Sequence, residues 1–516
     1  MPFLPGLKLV EPPVVAERYM FAATRLNMPS IIPSAVTTDT TTATTKVDAG
    51  HAYFVGSLLV STPAWAAKGA RFLFCNFNRT NGGEARPEWA PGNTLLIQGA
   101  SIKVGATTYP LKFGGATSYT IPDGGHVWSD PLEVDLPANG TYEVRTARYL
   151  PVGSIHVGCY RTLMTGEAAR YQSTDQSALV TSGAAITTAS VNSVFVYLYG
   201  PSAMVAKGWD GRPVVLAYGD SIVRAEDNYD ARGNLGYIAK GVDAAASVRL
   251  SRGDWALAGA EWASYTSADP ADHQFGLALA CLKSLPNLPF THIVSEMGVN
   301  SADAVSAAAT GTAERVEIWK RQFTAGWASL QAMFPGVPIY QCAMTPKAGS
   351  ASTWLYTDTT RMTHLSVNGP GRTAPRQAVN DWLVTRPAPL AGVIDTRPAF
   401  YDPATGDRWM VPAQRGVLSA AVVNGVSVLS TNVAPVLGDY FALEPGTADS
   451  ETPSGLVTSV TGAGPFTVQL GANTGKAHAA GAAWCSVATR DGTHPGGGRH
   501  TAAAAIIEEA KAQGVF

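Results

Sequence analysis

From about residue 205 onward, short apolar runs alternate with helical stretches, and few folds accommodate that alternation. Candidate strands lie at 213–218, 247–251, 291–296, 337–343 and 391–395. Candidate helices lie near 233–246, 254–265, 271–285, 304–333 and 373–385. Short strands separated by helices predict a parallel sheet covered on both faces. In such sheets ligands and reacting groups gather beyond the carboxyl ends of the strands. Ser221 falls just past the first strand and Asn300 just past the third.

The rest of the chain reads differently. Residues 1 to about 50 are broken by Pro12, Pro13, Pro29 and Pro33 and read as an irregular lead-in, with a Thr-rich low-complexity tract at 37–45. Runs at 53–60, 70–77, 95–104, 107–113, 132–136 and 141–149 are punctuated by Gly-Gly pairs and Asn139-Gly140. That texture predicts an N-terminal β-sandwich or jelly roll. Between about 400 and 486 the alternation stops. Runs at 417–429, 440–443, 455–461 and 466–470 read as strands of a small β insertion. Its base is expected beside the segment that follows it, as a lid or substrate platform or as a packing module. At roughly 100–200 residues per domain, 516 residues predict two to four domains. The expected division is 1–205 and 206–516, with the insertion inside the second part.

Charge and cysteine content remove several classes of function. With 37 basic against 39 acidic residues, the formal net charge is −2, and no long Lys/Arg run stands out. Nucleic acid and anionic membrane surfaces are therefore poor partners. Cys75, Cys159, Cys281, Cys342 and Cys485 are scattered without a C-x-x-C pair, which argues for buried free thiols over a metal knuckle or disulfide framework. No H-E-x-x-H occurs, which removes the commonest helical zinc signature. No apolar run reaches transmembrane length. The N-terminus lacks a basic stretch followed by an apolar one, so a secretory signal is not visible.

The chemistry is carried by two motifs far apart in the chain. Gly219-Asp220-Ser221 closes the apolar run 213–218, and Asp491-Gly492-Thr493-His494 precedes a C-terminal helical pattern. A serine hydroxyl is a weak nucleophile until a base takes its proton, and the base needs a group that orients it. Ser221, His494 and Asp491 supply those three roles. His500 competes as the base, but it falls inside the final helix with no aspartate three positions before it. No G-x-S-x-G occurs, which argues against the α/β-hydrolase elbow.

These residues, taken in order, resemble the motif blocks of the SGNH (GDSL) hydrolase family. Gly219-Asp220-Ser221-Ile222 is similar to the first block, Ser251-Arg252-Gly253-Asp254 to the second, Gly298-Val299-Asn300 to the third and Asp491-Gly492-Thr493-His494-Pro495 to the fifth. The resemblance covers about 205–395 and 486–514. It extends loosely to Phe113-Gly114-Gly115 and to 127–131, which look like the accessory β-sandwich of some bacterial members. Val223, Arg224 and Ser301 depart from the usual continuations of the first and third blocks.

The resemblance implies a three-layer α/β/α, flavodoxin-like core and a serine esterase without cofactor. It implies an oxyanion hole made by the backbone N–H groups of Ser221 and Gly253 and the side-chain amide of Asn300. Gly259 is the alternative if the second block is read in another register. Family substrates range over acetylated sugars, lipids, thioesters and simple esters. Trp65, Trp89 and Trp128 in the expected β-sandwich tilt the reading toward acetyl esters of carbohydrates. A small-molecule or polysaccharide ester is the expected partner, homo-oligomerisation is left open, and an extracellular or periplasmic setting is expected. A longer-acyl lipase or polyester hydrolase, and a non-catalytic binding or structural protein, are the alternatives.

Overall fold

The computed structural model describes residues 17–24, 26, 46–47, 49–79, 88–161, 166–187, 196–223, 236–244, 248–262, 276–301, 305, 311–350, 362–364, 373–403, 409–410, 415–435, 440–445, 457–487, 489, 494–495 and 497–516. A five-stranded parallel sheet forms its centre. Its strands are β1 (Val214–Tyr218), β2 (Ser251–Asp254), β3 (His292–Ser295), β4 (Ile339–Cys342) and β5 (Gly392–Ile394). They lie in the order β2-β1-β3-β4-β5, every neighbouring pair parallel. Every residue of β1 is buried, as a strand covered on both faces requires.

Side chains alternate across a strand, and here the two faces feed different cores. Val214, Leu216 and Tyr218 join Trp262, Phe323 and Trp327. Val215 and Ala217 join Tyr237, Ile238, Ala503 and Ile507. The first face is covered by helices α2 (Gly276–Lys283), α3 (Thr312–Met333) and α4 (Thr373–Val384). On α3, Val316, Trp319, Phe323, Trp327 and Leu330 recur at helical spacing and bury one stripe. The second face is covered by α1 (Tyr237–Val242), α5 (Arg397–Phe400) and α6 (Gly497–Ala512).

Upstream, two antiparallel sheets share a core. One has the order Met20–Phe21, Ala203–Lys207, Lys68–Cys75, His126–Trp128. The other runs Ala168–Gln172, Tyr53–Ser61, Thr141–Tyr149, Leu95–Val104, Thr107–Pro110, with Tyr119–Ile121 also on Leu95–Val104. Phe72 and Phe74 of the first sheet and Phe54, Leu58, Ile97 and Val144 of the second belong to one apolar cluster. That cluster continues into Trp262 and Phe323, so the antiparallel and parallel parts share one apolar core. Polar contacts cross the junction as well. Trp128 Nε1 donates to Ser284 Oγ at 3.0 Å, and Glu88 accepts from the N–H groups of Leu277 and Ala278 at the start of α2, at 2.8 and 3.1 Å.

Five expectations change. The strand expected at 247–251 lies at Ser251–Asp254, and the run at 417–429 is replaced by the separate strands Arg415–Val417 and Val428–Thr431. Met20–Phe21, inside the supposed irregular lead-in, pairs with Ala206 and Val205; the signal is only two residues long and its partner lies far along the chain. The run at 132–136 makes a single bridge, Ala67 to Leu136, and no strand. No helix begins at residue 254. Trp255 donates its N–H to the Ala217 carbonyl and Leu257 to that of Gly219, so the chain keeps following β1 past the end of β2. The Thr-rich tract 37–45 lies outside the described residues.

The segment after β5 forms two small antiparallel sheets. Arg415–Val417, Ala483–Val487 and Tyr440–Leu443 make one; Val428–Thr431, Phe466–Leu470 and Val457–Thr461 make the other. Leu418, Leu429, Phe441, Leu443, Val468, Leu470 and Trp484 form a core of their own. Tyr440, Ala442, Cys485 and Val487 face the other way, into the cluster against the parallel sheet. Among the described residues, no helix is long and apolar enough to cross a membrane, and no group of three or more His, Cys, Asp or Glu is placed to hold a metal.

Candidate active site

β1 ends at Tyr218 and the chain turns sharply through Gly219, Asp220 and Ser221. Gly219 is required there. A Cβ at that position would overlap the Val223 side chain and come within 3.2 Å of Glu296 Oε2. The turn is pinned from neighbouring strands: Leu257 donates to the Gly219 carbonyl at 3.0 Å, and Glu296 donates its N–H to the Tyr218 carbonyl at 3.0 Å. Asp220 Oδ1 accepts from the Ile222 N–H at 2.8 Å and closes the turn on itself. Ser221 is thereby held at the carboxyl end of the central strand, only 4 % exposed.

His494 reaches it from the other end of the chain. Its Nε2 and Ser221 Oγ lie 2.8 Å apart, the separation needed for a serine and its base. The His494 segment is fixed by an antiparallel bridge between Thr489 and Pro495 and by the start of α6 at Gly497. Asp491 lies outside the described residues. His500 is placed elsewhere: fully buried in α6, it accepts the Tyr237 N–H on Nδ1 at 3.1 Å. Burial, helped by Lys240 and His494 nearby, pushes its imidazole well below the ordinary range, so His500 is a neutral structural histidine.

Asn300 follows β3 and turns toward Asp220. Gly298 makes that turn with φ +140°, and any side chain there would collide with Phe323. Trp319 Nε1 donates to the Gly298 carbonyl at 3.2 Å, and Gln341 Nε2 to the Met297 carbonyl at 3.1 Å. Asn300 Nδ2 then donates to Asp220 Oδ2 at 3.0 Å and to the Ala260 carbonyl at 3.3 Å. Ser301, which departs from the usual continuation of the third block, accepts the Trp262 N–H on its Oγ at 3.0 Å.

The two candidate glycines are separated by this geometry. Gly253 sits inside β2, paired with Leu216 of β1, and Phe21 fills the space above its Cα. That position is five residues short of Ser221, in the body of the sheet. Gly259 lies in the loop beyond β2 with φ +70°, next to Ala260, whose carbonyl meets Asn300. The loop, and not the strand, is level with the Ser221 turn.

One acid at this end of the sheet was not picked out in the sequence. Glu296, immediately after β3, is fully buried and faces Asp220, also fully buried. Burial pushes Glu296 well above the ordinary carboxyl range, and the neighbouring Asp220 adds to it. Burial also raises Asp220, to about 6, against the lowering effects of the Ile222 N–H, Glu296, His494 and Lys347. The available signal was an acid closing an otherwise apolar run, Ile293-Val294-Ser295-Glu296.

No family model matches this sequence, and no curated protein does. Several solved structures resemble it distantly. One is a salicylyl-acyltransferase from a tetracycline biosynthetic pathway, 12% identical over 70% of this chain and 72% of that chain, with a TM-score of 0.25. Another is a family two carbohydrate esterase from Clostridium thermocellum, solved with cellohexaose, 11% identical over 67% and 82%, with a TM-score of 0.23. A third is a carbohydrate acetylesterase from Xanthomonas citri, 11% identical over 79% and 93%, with a TM-score of 0.25. Likeness at this level says nothing about what this chain acts on.

Proposed function

We propose that this chain is a serine hydrolase of carboxylic esters, of the SGNH type, working through an acyl-enzyme. The observation that carries the reading is the 2.8 Å separation of Ser221 Oγ and His494 Nε2 at the carboxyl end of the central strand. In this mechanism His494 Nε2 takes the Ser221 proton as Oγ forms a bond to the ester carbonyl carbon. The tetrahedral adduct collapses, the C–O bond to the alcohol breaks, and His494 returns the proton to the leaving oxygen. Water, deprotonated by the same imidazole, then releases the acid. Asp491 is assigned to hold His494 in the reactive tautomer.

The developing oxyanion needs donors held in place beforehand. Ser221 N–H and Asn300 Nδ2 are assigned to it. The second backbone donor is assigned to Gly259, because Gly253 is enclosed in the sheet beneath Phe21. Short acyl groups suit a nucleophile as enclosed as Ser221. A carbohydrate alcohol draws little support from the tryptophans: Trp65 and Trp128 are buried and Trp89 is half-buried, as core and junction residues are.

Hydrolysis of p-nitrophenyl acetate, butyrate and octanoate by the wild type and Ser221→Ala tests the reading. The expected result is turnover that fades with acyl length and a loss of at least about 10³-fold in the variant. Preference for octanoate would favour a lipase or polyester hydrolase. Absence of turnover on all three, or equal rates in the variant, would favour a binding role.

A further inference from the structure

Glu296 has no place in the mechanism just described, yet it lies directly against the nucleophile turn. A Cβ on Gly219 would be 3.2 Å from its Oε2. Neither of its carboxyl oxygens meets a donor at hydrogen-bonding geometry among the described residues, and the Asp220 carboxyl and backbone N–H face it. Asp220, by contrast, accepts on both oxygens, from Ile222 N–H on Oδ1 and from Asn300 Nδ2 on Oδ2. Two buried carboxylates in contact cannot both be ionised. The donors decide which one is charged: Asp220 is the acceptor on both sides, so the proton belongs to Glu296.

We propose that Glu296 is a positioning residue that stays protonated and donates a hydrogen bond to Asp220, fixing the Asp220 carboxylate as the common acceptor of the nucleophile turn and the Asn300 amide. This rests on the esterase reading for its effect on rate, although not for the proton itself. The groups that surround the pair agree with the assignment. Lys347 and His494 act on Asp220 and favour its charged form. Tyr237 on α1 and Cys342 on β4 are the titratable neighbours of Glu296, and both are held neutral by burial. Among the described residues, burial and Asp220 are what act on Glu296, and no cation does; this is the arrangement of a neutral acid beside a charged one.

Glu296→Gln and Glu296→Leu separate this role from packing. An amide N–H can replace the carboxyl O–H, so Glu296→Gln is expected to keep kcat within about fivefold, the scale of one neutral hydrogen bond. Glu296→Leu removes the donor. Its kcat is expected to fall about 10²-fold with KM nearly unchanged, and the acid limb of its pH–rate profile to move to higher pH as Asp220 becomes easier to protonate. The proton is read independently by infrared difference spectroscopy. A protonated-carboxyl band that persists at pH 8 in the wild type and is absent in Glu296→Gln is expected. Absence of that band in the wild type overturns the proposal whatever the activity. So does a Gln variant that folds and is as impaired as the Leu variant. A wild type without ester turnover but with the band removes the esterase reading and leaves the shared proton standing.

Discussion

Asn300 carries two amide hydrogens, and both are engaged before any substrate arrives. The bond to Asp220 is shorter, 3.0 Å, and the one to the Ala260 carbonyl longer, 3.3 Å. The oxyanion would therefore take the hydrogen now shared with Ala260, while Asp220 keeps the amide aimed. Asn300→Ala is expected to lower kcat on p-nitrophenyl acetate by about 10²–10³-fold, with little change in KM, measured by steady-state kinetics. At this scale the placement of the candidate residues was legible where it is written in local motifs. Ser221, Asn300 and His494 stand in short motifs beside recognisable strand or helix ends, and the structure puts all three at one end of the sheet. Gly253 and Gly259 were harder to separate, because two glycines six residues apart fit one motif in two registers. Glu296 was illegible for a different reason. Its significance depends on Asp220, which joins it only after two strands pair.

The element that brings His494 to Ser221 is α6, and it is seated on α1 through a close backbone approach. A Cβ on Gly241 would lie 2.6 Å from the Ala504 carbonyl oxygen and 2.6 Å from Ile507 Cβ. Lys511 Nζ adds a hydrogen bond to the Gly241 carbonyl at 3.0 Å. Gly241→Ala must push α6 outward. Denaturant unfolding is expected to show a loss of about 1–3 kcal/mol, the usual cost of overpacking. The same variant is expected to lose kcat more than KM, because His494 is attached to the start of the displaced helix. β2 lies at Ser251–Asp254 and not at 247–251, while the other four of the five strands and most helices of this half were legible from alternating apolar runs. The segment after β2 was not, because 254–262 has a helix-like composition but is tied to β1 through the Trp255 and Leu257 N–H groups. Tertiary hydrogen bonding overrides local propensity there.

On the scale of the whole molecule, the antiparallel and parallel parts are joined through a buried acid. The Glu88 side chain is buried, pairs with Arg79 at 3.2 Å, and caps α2 through Leu277 and Ala278. Burial outweighs these favourable contacts and lifts its carboxyl to about 7 from the ordinary 4.5. The folded protein therefore holds this proton more tightly than the unfolded chain. Stability is at its full value below pH 4.5 as far as this group is concerned, falls as pH rises from 4.5 through about 7, and is constant above. The shift corresponds to about 3 kcal/mol. Glu88→Gln copies the neutral acid and cannot ionise. It is expected to match the wild type in stability near pH 4.5 and to exceed it by up to about 3 kcal/mol at pH 8, read from urea unfolding at the two pH values. A variant that is less stable at pH 8 than at pH 4.5 by as much as the wild type would place the pH dependence in other groups. One that is destabilised equally at both would mean that the charge on Glu88, through Arg79 and the helix start, is what holds the two parts together.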